Sequence, residues 1–534
     1  MFATTDLPTY YLHTHRLAFQ QALQSGTASP FVIPWSIAGA FFLPVLYLSV
    51  PHRKRPWLYR LRWVVVAAMG LLNFGVLRAR TGSENYAAGY AIGLALGWGM
   101  IWGTALVVFM RVQWDVCRVQ LRRRARGVGD GEEEKKPRTR ESVDESVAAV
   151  LDKWEYFWEP YPEEGSFVER LGWVISLYLS FRGVGWNIAI PSVPHPKAPS
   201  DPRGRERVDF SGLPITTRSG HSRSTTYRSL IRSRLLQILV SYLILDLWTL
   251  TARYDPYFVP GPPPAPSHPL PPSLSSLPHI FLSPLRSLIS LAGVLSALHF
   301  YLPLTQLISL YNPLIPPSQR ALFLYPSIAG SPLSVPSYGL AGFWSSFWHQ
   351  SFRIGFTAPT KHLIHLGILP YAMVATTKFI GTTIAFLLSG AMHSLAGYTA
   401  LPSTTTFSGP LIFFLLQVVG IIIQKALGGL VARTFVFSER RKAMINTLFV
   451  IVWLHFTNHF LIQDMSHAAL WLFEPVPFSP LRMMGFGYDA EEAWWRWDRT
   501  CECKLECFSS RFVLFLFVSG AEILSSFPRQ QKIS

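Results

Sequence analysis

The sequence predicts an all-α integral membrane protein with about eight transmembrane helices (range 7 to 10), and with re-entrant or interfacial helices around a central chamber. Composition is the first support for this class. Of 534 residues, 49% are hydrophobic, 15% are charged and 14% are aromatic, and the mean hydropathy is +0.25. Soluble domains carry about 25% charged residues. The chain therefore has too little polar surface for a water-soluble protein of this length.

Long apolar runs separated by polar loops are the second support, because a helix needs about 20 mostly apolar residues to cross a bilayer. The predicted spans are 31–50, 61–77, 87–110, 235–252, 285–310, 363–388, 411–432 and 443–462. Segment 171–190 is interrupted by Arg182 and several glycines, which predicts a re-entrant or interfacial segment. A further short span at 511–524 stays open.

The placement of charge is the third support. The formal net charge is +17, and the basic residues lie mainly between apolar runs. Loop 111–140 has ten Lys or Arg against five acids, and loop 191–234 has nine against three. This pattern follows the positive-inside rule, which predicts cytosolic loops that meet anionic lipid headgroups. We therefore expect membrane lipids as partners and no nucleic acid.

These observations predict four regions. Residues 1–110 form an N-terminal three-span region, and 111–234 form cytosolic basic loops with the re-entrant segment near 171–190. Residues 235–462 form the membrane core, and 463–534 form a C-terminal tail. Segments 122–146 and 191–234 lack apolar periodicity, which predicts unstructured connectors. Four cysteines are too few and too clustered for a disulfide framework.

A histidine inside an apolar run is the first candidate for chemistry. His393 lies within or just beyond the run in "FLLSGAMHSLAGYTA". Ionisable residues in membrane spans are costly to bury and are functional candidates, and imidazole suits a general base near neutral pH. A structural histidine that is hydrogen-bonded to a neighbouring helix is an equally good interpretation of this residue alone.

An aromatic segment, "GFWSSFWHQSFRIGFTAP" at 342–359, is the second candidate. On a helix, Trp344, Trp348 and Phe352 would share one face, and His349 and Arg353 another. The segment would then lie in the membrane interface with its polar face toward a cavity. Periodicity alone favours the alternative, an ordinary aromatic belt that anchors an interfacial helix.

The pair "FWSSFWHQ" and "FLLSGAMH" resembles the two signatures of the wax-synthase-like branch of the membrane-bound O-acyltransferases, in particular fungal enzymes that acetylate secondary metabolites. The sequence "FRGVGWN", residues 181–187, is similar to an upstream element of fungal members. The resemblance covers about residues 170–460. It departs from the family pattern at 345–347, where Ser-Ser-Phe stands in place of Gly-Arg-Arg.

The resemblance implies acyl transfer from an acyl-CoA, with acetyl-CoA as the expected co-substrate, to a lipophilic alcohol such as a terpenoid. It implies His393 as the base and His349 as a second catalytic residue. The residues that it implies for contact with acyl-CoA are Gln350, Arg353, Trp348 and Arg182. It implies no bound metal or resident cofactor. The implied location is the endoplasmic reticulum or another endomembrane.

Other interpretations stay open. Within the same class, the chain could be a long-chain wax or sterol ester synthase. Histidine pairs at 362/365 and 455/459 suggest a membrane di-iron oxidoreductase, although a structural role for them is favoured. A zinc site at Cys501, Cys503 and Cys507 is disfavoured by irregular spacing. A non-catalytic carrier is a further alternative, and the role of Asp246 is undecided.

Overall fold

The computed structural model describes residues 7–123, 154–255, 257–258, 272–312, 315, 319–371, 374–400, 408–468, 470–472, 474–487 and 494–495. The main helices of this part are α1 (Leu7–Gln24), α2 (Trp35–Leu48), α3 (Arg62–Arg78), α4 (Tyr86–Phe109), α5 (Phe167–Tyr178), α6 (Tyr227–Tyr254), α7 (His279–Tyr311), α8 (Ser334–Gly342), α9 (Arg353–His365), α10 (Ala375–Ala400), α11 (Ser408–Thr434) and α12 (Glu439–His467). Shorter helical turns are Pro56–Arg60, Val112–Asp115, Pro272–Ser275, Leu322–Leu324, Leu470–Leu472 and Pro480–Met483.

Six helices in the described part are long and apolar enough to cross a membrane, namely α4, α6, α7, α10, α11 and α12. Large apolar side chains such as Leu239, Leu430 and Leu448 are exposed on them. Such exposure is unfavourable in water but suits a surface that faces lipid. The prediction of an all-α, multi-pass membrane protein is confirmed. The division into four regions stays a prediction.

The predicted count of eight spans is not met by the described residues, because two N-terminal elements are short. Helix α3 has 17 residues, at the lower limit for a crossing. Helix α2 includes a π-helical turn at Ala38–Phe42 and has Pro44 within it. Proline removes a backbone donor and disrupts helical continuity, so the apolar run 31–50 does not become one long helix. The doubtful span at 511–524 lies outside the described residues.

The predicted span 363–388 is wrong in its boundaries. Helix α9 ends at His365, and Gly367 then adopts a left-handed backbone with φ 74°. Glycine tolerates this conformation because it lacks a Cβ. The membrane helix α10 begins at Ala375 and continues to Ala400. His393 therefore lies inside this helix.

The prediction that 191–234 is an unstructured connector is wrong. Helix α6 starts at Tyr227, where the Thr226 side chain accepts a hydrogen bond from the Ser229 N–H. Before it, Val208 and Leu213 are buried against strand residues and Phe323. Scattered apolar residues thus fold this irregular stretch onto the core without periodicity. Most of the other predicted connector, 122–146, lies outside the described residues.

Two small sheets accompany the helices. Strands β1 (Ser29–Pro30) and β2 (Thr81–Gly82) pair in parallel. Strands β3 (Cys117–Arg123) and β4 (Trp154–Pro160) are antiparallel. Sequence analysis did not predict these strands, since the basic residues of β3 obscure its alternation. The segment 171–190 does not cross the membrane in one helix: α5 has 12 residues and irregular backbone follows it.

A stripe of glycines joins α4 to α10. Gly89, Gly93 and Gly97 are spaced four residues apart, so they lie on one face of α4. A Cβ at Gly89 would lie 3.0 Å from the Ala400 Cα, and the Thr399 hydroxyl donates to the Gly89 carbonyl at 2.8 Å. Small residues allow such close packing of membrane helices. Since 67% of the apolar stretch of α4 is buried, against at most 39% in the other spans, α4 is the central helix.

Candidate active site

His393 is held from two sides inside the helical core. The Tyr90 hydroxyl, on α4, lies 3.1 Å from the Nδ1 atom of His393. The imidazole also stacks on Phe414 of α11, with 5.1 Å between ring centroids and 20° between planes. The hydrogen bond and the stacking together fix the plane of the ring. Nε2 is the ring nitrogen that remains for contact with a substrate.

The aromatic segment does not form the single helix predicted over 342–359. Helix α8 continues as a π-helical turn, Phe343–Phe347, and Trp348 then takes an extended backbone with ψ 152°. The Gln350 amide donates to the carbonyls of Trp344 at 3.0 Å and Trp348 at 2.7 Å. Gln350 thereby binds main-chain acceptors that a continuous helix would use for itself. A new helix, α9, starts at Arg353.

His349 lies in this break between helices. Its ring packs edge-on to Phe352 at 5.4 Å, and its Nδ1 atom is buried without a hydrogen-bond partner among the described residues. Burial, with the nearby charges of His393, His299 and Arg182, lowers the pKa of His349 to about 3. His349 is therefore a neutral imidazole near pH 7. A buried ring nitrogen without a partner is costly unless a ligand completes it.

An aromatic contact joins the two histidine segments. Trp344 packs on Phe414 at 5.9 Å, and Phe414 is the ring that stacks on His393. Trp348 packs on Trp344 at 5.3 Å and lies next to His349. The structure thus brings together the histidines that the two sequence motifs predicted. Trp348 belongs to the aromatic wall between them.

The two predicted arginines lie near the same segment. An Arg182 Nη atom donates to the Ser327 carbonyl at 2.7 Å. Arg353 donates to the Ser345 carbonyl at 3.2 Å and to Gln350 Oε1 at 3.1 Å. Both acceptors of Arg353 are uncharged. Arg353 is four residues from His349 in the sequence, and the charge of Arg182 also acts on His349.

Two further basic residues, Arg234 and His221, lie close to Arg182, and sequence analysis assigned no role to either. Arg234 is buried on α6 and donates to Gln306 Oε1 at 2.6 Å and to the Tyr325 carbonyl at 3.1 Å. His221 is fully buried, and burial, with Arg182 and Arg353 close by, lowers its pKa to about 3. We call Arg182, Arg234, Arg353 and His221 the basic group. Sequence analysis did not identify Arg234 and His221 as site residues, because both lie in the stretch that was predicted to be an unstructured connector.

An open cleft of about 930 Å³ lies between α6 and α7. Arg228 and Arg232, near the start of α6, line part of it, and His299 and Phe347 line another part. Phe347 belongs to the aromatic segment, and His299 is close enough to His349 to affect it electrostatically. The lining of the cleft therefore combines basic residues with one ring of the aromatic segment.

The other candidates have structural contacts. The His455 Nδ1 atom lies 3.0 Å from the Ser287 hydroxyl, and His459 bonds the Phe456 carbonyl of its own helix. Asp246 accepts the Leu481 N–H at 3.0 Å and so ties α6 to the helical turn Pro480–Met483. Across the described residues, no group of three or more His, Cys, Asp or Glu is placed to hold a metal ion. The tail cysteines at 501, 503 and 507 lie outside those residues.

Comparison with known proteins agrees with this geometry. Residues 325–416 match the model of the Membrane bound O-acyl transferase family, and this range contains both His349 and His393. The acetyltransferase spyB of Aspergillus fumigatus is 32% identical over 91 residues, which are 17% of this chain and 15% of that protein. No solved structure gives a significant match. The predicted resemblance is confirmed over this range: residues 325–416 are similar to membrane-bound O-acyltransferases, and a stretch of the chain is similar to a fungal acetyltransferase.

Proposed function

We propose that this chain transfers an acetyl group from acetyl-CoA to a hydroxyl of a lipophilic secondary metabolite, such as a terpenoid. The observation that carries this proposal is the pairing of His393 with His349 across one aromatic wall. His393 has one nitrogen bonded by Tyr90, and His349 has a buried nitrogen without a partner in the described part. One histidine is thus oriented as a base, and the other can bind the group that reacts.

The reaction follows from these two roles. The His393 Nε2 atom takes the proton of the acceptor hydroxyl as the alcohol oxygen attacks the thioester carbonyl carbon. His349 donates a hydrogen bond to the oxyanion, and such a donor contributes about 3 kcal/mol. The C–S bond then breaks, and the thiolate of coenzyme A takes the proton from Nε2. Direct transfer suits this chain, because the matched range 325–416 contains no cysteine.

The basic group supports an anionic donor. Arg234 and Arg353 direct their hydrogen bonds to uncharged acceptors, so their charges can interact with phosphates of coenzyme A. The cleft with Arg228 and Arg232 on its lining gives such a donor a route toward Phe347. An aromatic wall that excludes water would protect the thioester from hydrolysis.

The length of the acyl group has two candidates. The name of the fungal relative favours acetyl transfer. A longer chain, as in a wax or sterol ester synthase, is the alternative within the same class of reaction. We propose an endomembrane location, such as the endoplasmic reticulum, where a lipophilic alcohol would dissolve in the bilayer.

The test is acyl transfer in microsomes that contain the full chain. Radiolabelled acetyl-CoA and palmitoyl-CoA are each offered with a pool of terpenoid and fatty alcohols. The variants are His393→Ala and, as a matched control, His459→Ala, since His459 bonds only within its own helix in the described part. We expect labelled ester from the wild type and the control, and none from His393→Ala.

Each outcome separates the candidates. Ester from acetyl-CoA supports the proposal, whereas ester from palmitoyl-CoA alone supports the long-chain synthase. Equal product from wild type and His393→Ala would remove His393 from the mechanism. Absence of product from folded wild type with every alcohol would overturn the proposal, and iron analysis of the purified protein would then test the oxidoreductase alternative.

A further inference from the structure

The residues around the Nδ1 atom of His393 lie outside the two sequence motifs. Tyr90 is buried, and its hydroxyl contacts the Nδ1 atom of His393 at 3.1 Å. This contact joins α4 to α10 across 303 residues of sequence. It exists because the glycine stripe of α4 brings the two helices together.

The direction of this hydrogen bond decides whether His393 can act as a base. A neutral imidazole carries one proton, and only the nitrogen without it can accept another. If Nδ1–H donates to the Tyr90 oxygen, Nε2 keeps its lone pair for the substrate hydroxyl. If Tyr90 donates to Nδ1, Nε2 carries the proton and cannot act as the base. Tyr90 therefore needs a different acceptor for its own hydrogen.

Asp464 on α12 is the acid placed to influence Tyr90. It is buried, its Oδ2 atom has no hydrogen-bond partner among the described residues, and its charge reaches Tyr90. Tyr90 packs in one buried cluster with Ala396 and Ala400 of α10. The same cluster contains Ile462 and Met465 of α12, which are close to Asp464 in the sequence. A carboxylate at this place would attract the hydroxyl hydrogen and the positive charge that forms on His393.

Gly397 explains how the acid reaches this position. It lies one helical turn after His393 on the same face of α10. A Cβ at Gly397 would collide with Asp464 Oδ2. Glycine inside a helix costs about 1 kcal/mol relative to alanine, so it is favourable here only where a close approach requires it. The close approach is that of the Asp464 carboxyl to the helix that carries His393.

We propose that Tyr90 is a positioning residue that holds His393 with Nδ1 protonated and Nε2 free, and that Asp464 orients the Tyr90 hydroxyl from α12. This inference rests on the proposed function. The proton of the acceptor alcohol moves to Nε2 as the ester C–O bond forms, and it passes to the thiolate as the C–S bond breaks. Tyr90 and Asp464 transfer no proton in this sequence. They fix the tautomer and stabilise the imidazolium, as an orienting carboxylate does for other histidine bases.

The experiment compares Tyr90→Phe and Asp464→Asn with wild type in the microsomal assay, using whichever donor and alcohol the wild type joins. Tyr371→Phe is the control, since Tyr371 is 75% exposed. We expect kcat to fall about 10- to 100-fold in both variants, with KM for both substrates within about threefold of wild type, because orientation of a catalytic base acts on the transition state. Size-exclusion profiles in detergent report whether each variant is folded.

A second variant separates positioning from packing. Asp464→Glu keeps the carboxyl, so it should recover more kcat than Asp464→Asn, whereas a purely structural role favours the better-fitting Asn. Unchanged kcat in Tyr90→Phe, with His393→Ala inactive and the wild type active, would overturn this inference alone. A change confined to KM in the folded Tyr90→Phe variant would also overturn this inference. Wild type that acylates no alcohol would overturn the proposed function and this inference with it.

Discussion

The two histidines of the site differ in how the chain holds them. His393 lies on a regular membrane helix, stacked on Phe414 and bonded to Tyr90. His349 lies where regular structure stops, between a π-helical turn and α9. The first histidine is fixed by helix packing, and the second by side chains that bind main-chain carbonyls. A rigid histidine with a hydrogen-bond partner suits a base. A histidine whose Nδ1 atom has no partner among the described residues suits the binding of a substrate oxygen.

The surroundings follow the same division. Around His393, glycines, aromatic rings and one acid come from α4, α10, α11 and α12. Around His349, the basic group comes from α9, the start of α6 and the irregular stretches before them. In the proposed function, helix packing would supply the geometry of proton transfer, and the irregular segments would supply positive charge for an anionic substrate. Five predictions test this division.

The largest effect is expected at His393. His393→Gln removes the base and keeps a side chain of similar size, so kcat should fall about 10³-fold. The measurement is the initial rate of ester formation at saturating donor, with His459→Gln as the control. A loss smaller than about tenfold would mean that His393 has a structural role.

At His349 we expect a loss of about 10²-fold in kcat for His349→Ala, since one oxyanion donor is removed. His349→Gln should lose less, because its amide N–H can still donate. The rates of the two variants at saturating acetyl-CoA give the test. Equal losses of kcat in His349→Ala and His349→Gln would contradict a donor role for His349.

Gly93 tests the framework behind His393. A Cβ at Gly93 would collide with the Leu395 carbonyl of α10, so Gly93→Val should destabilise the protein by about 2 to 3 kcal/mol. Gly428→Val is the matched control, because a Cβ there meets nothing within 4 Å. Thermal unfolding in detergent measures both. Equal stability of the two variants would show that α4 and α10 can separate without cost.

His221 tests the basic group through pH. Its folded-state pKa of about 3 is below the ordinary 6.5, so protons favour the unfolded chain. The stability from burying neutral His221 is complete above pH 6.5 and is lost as pH falls toward 3. At pH 5 the loss is about 2 kcal/mol. His221→Gln should therefore show a shallower fall in unfolding temperature between pH 7.5 and pH 5 than wild type, and equal slopes would contradict the burial.

The smallest effect is expected at Arg234. If it attracts phosphates of coenzyme A, Arg234→Gln should raise KM for acetyl-CoA about tenfold, equivalent to about 1.4 kcal/mol, with little change in kcat. Arg441→Gln, at the exposed start of α12, is the control. Because Arg234 also bonds Gln306 and Tyr325, Arg234→Lys serves as a second variant that keeps the charge. An unchanged KM in a folded Arg234→Gln variant would remove Arg234 from donor binding.

The sequence by itself determined the class of fold and the residues of the two motifs. Apolar runs of about 20 residues predict membrane helices, so most of the long helices could be predicted from the sequence, although run 31–50 and the boundaries of 363–388 could not. His393 and His349 could be singled out because ionisable residues are rare in membrane spans and the two motifs resemble a known family, and their catalytic roles stay predictions. Irregular backbone has no period, however, and the sequence could not predict that 191–226 packs on the core or that the helix breaks at Trp348.

Only the tertiary structure decided which distant residues meet these histidines. Tyr90 and Asp464 are ordinary residues of apolar helices in the sequence, and Arg234 was interpreted there as a loop charge. Their roles depend on helix contacts hundreds of residues apart, such as the 303-residue separation of Tyr90 from His393. Local patterns report the period and length of one segment, whereas the partner of a buried polar atom is set by how separate segments pack.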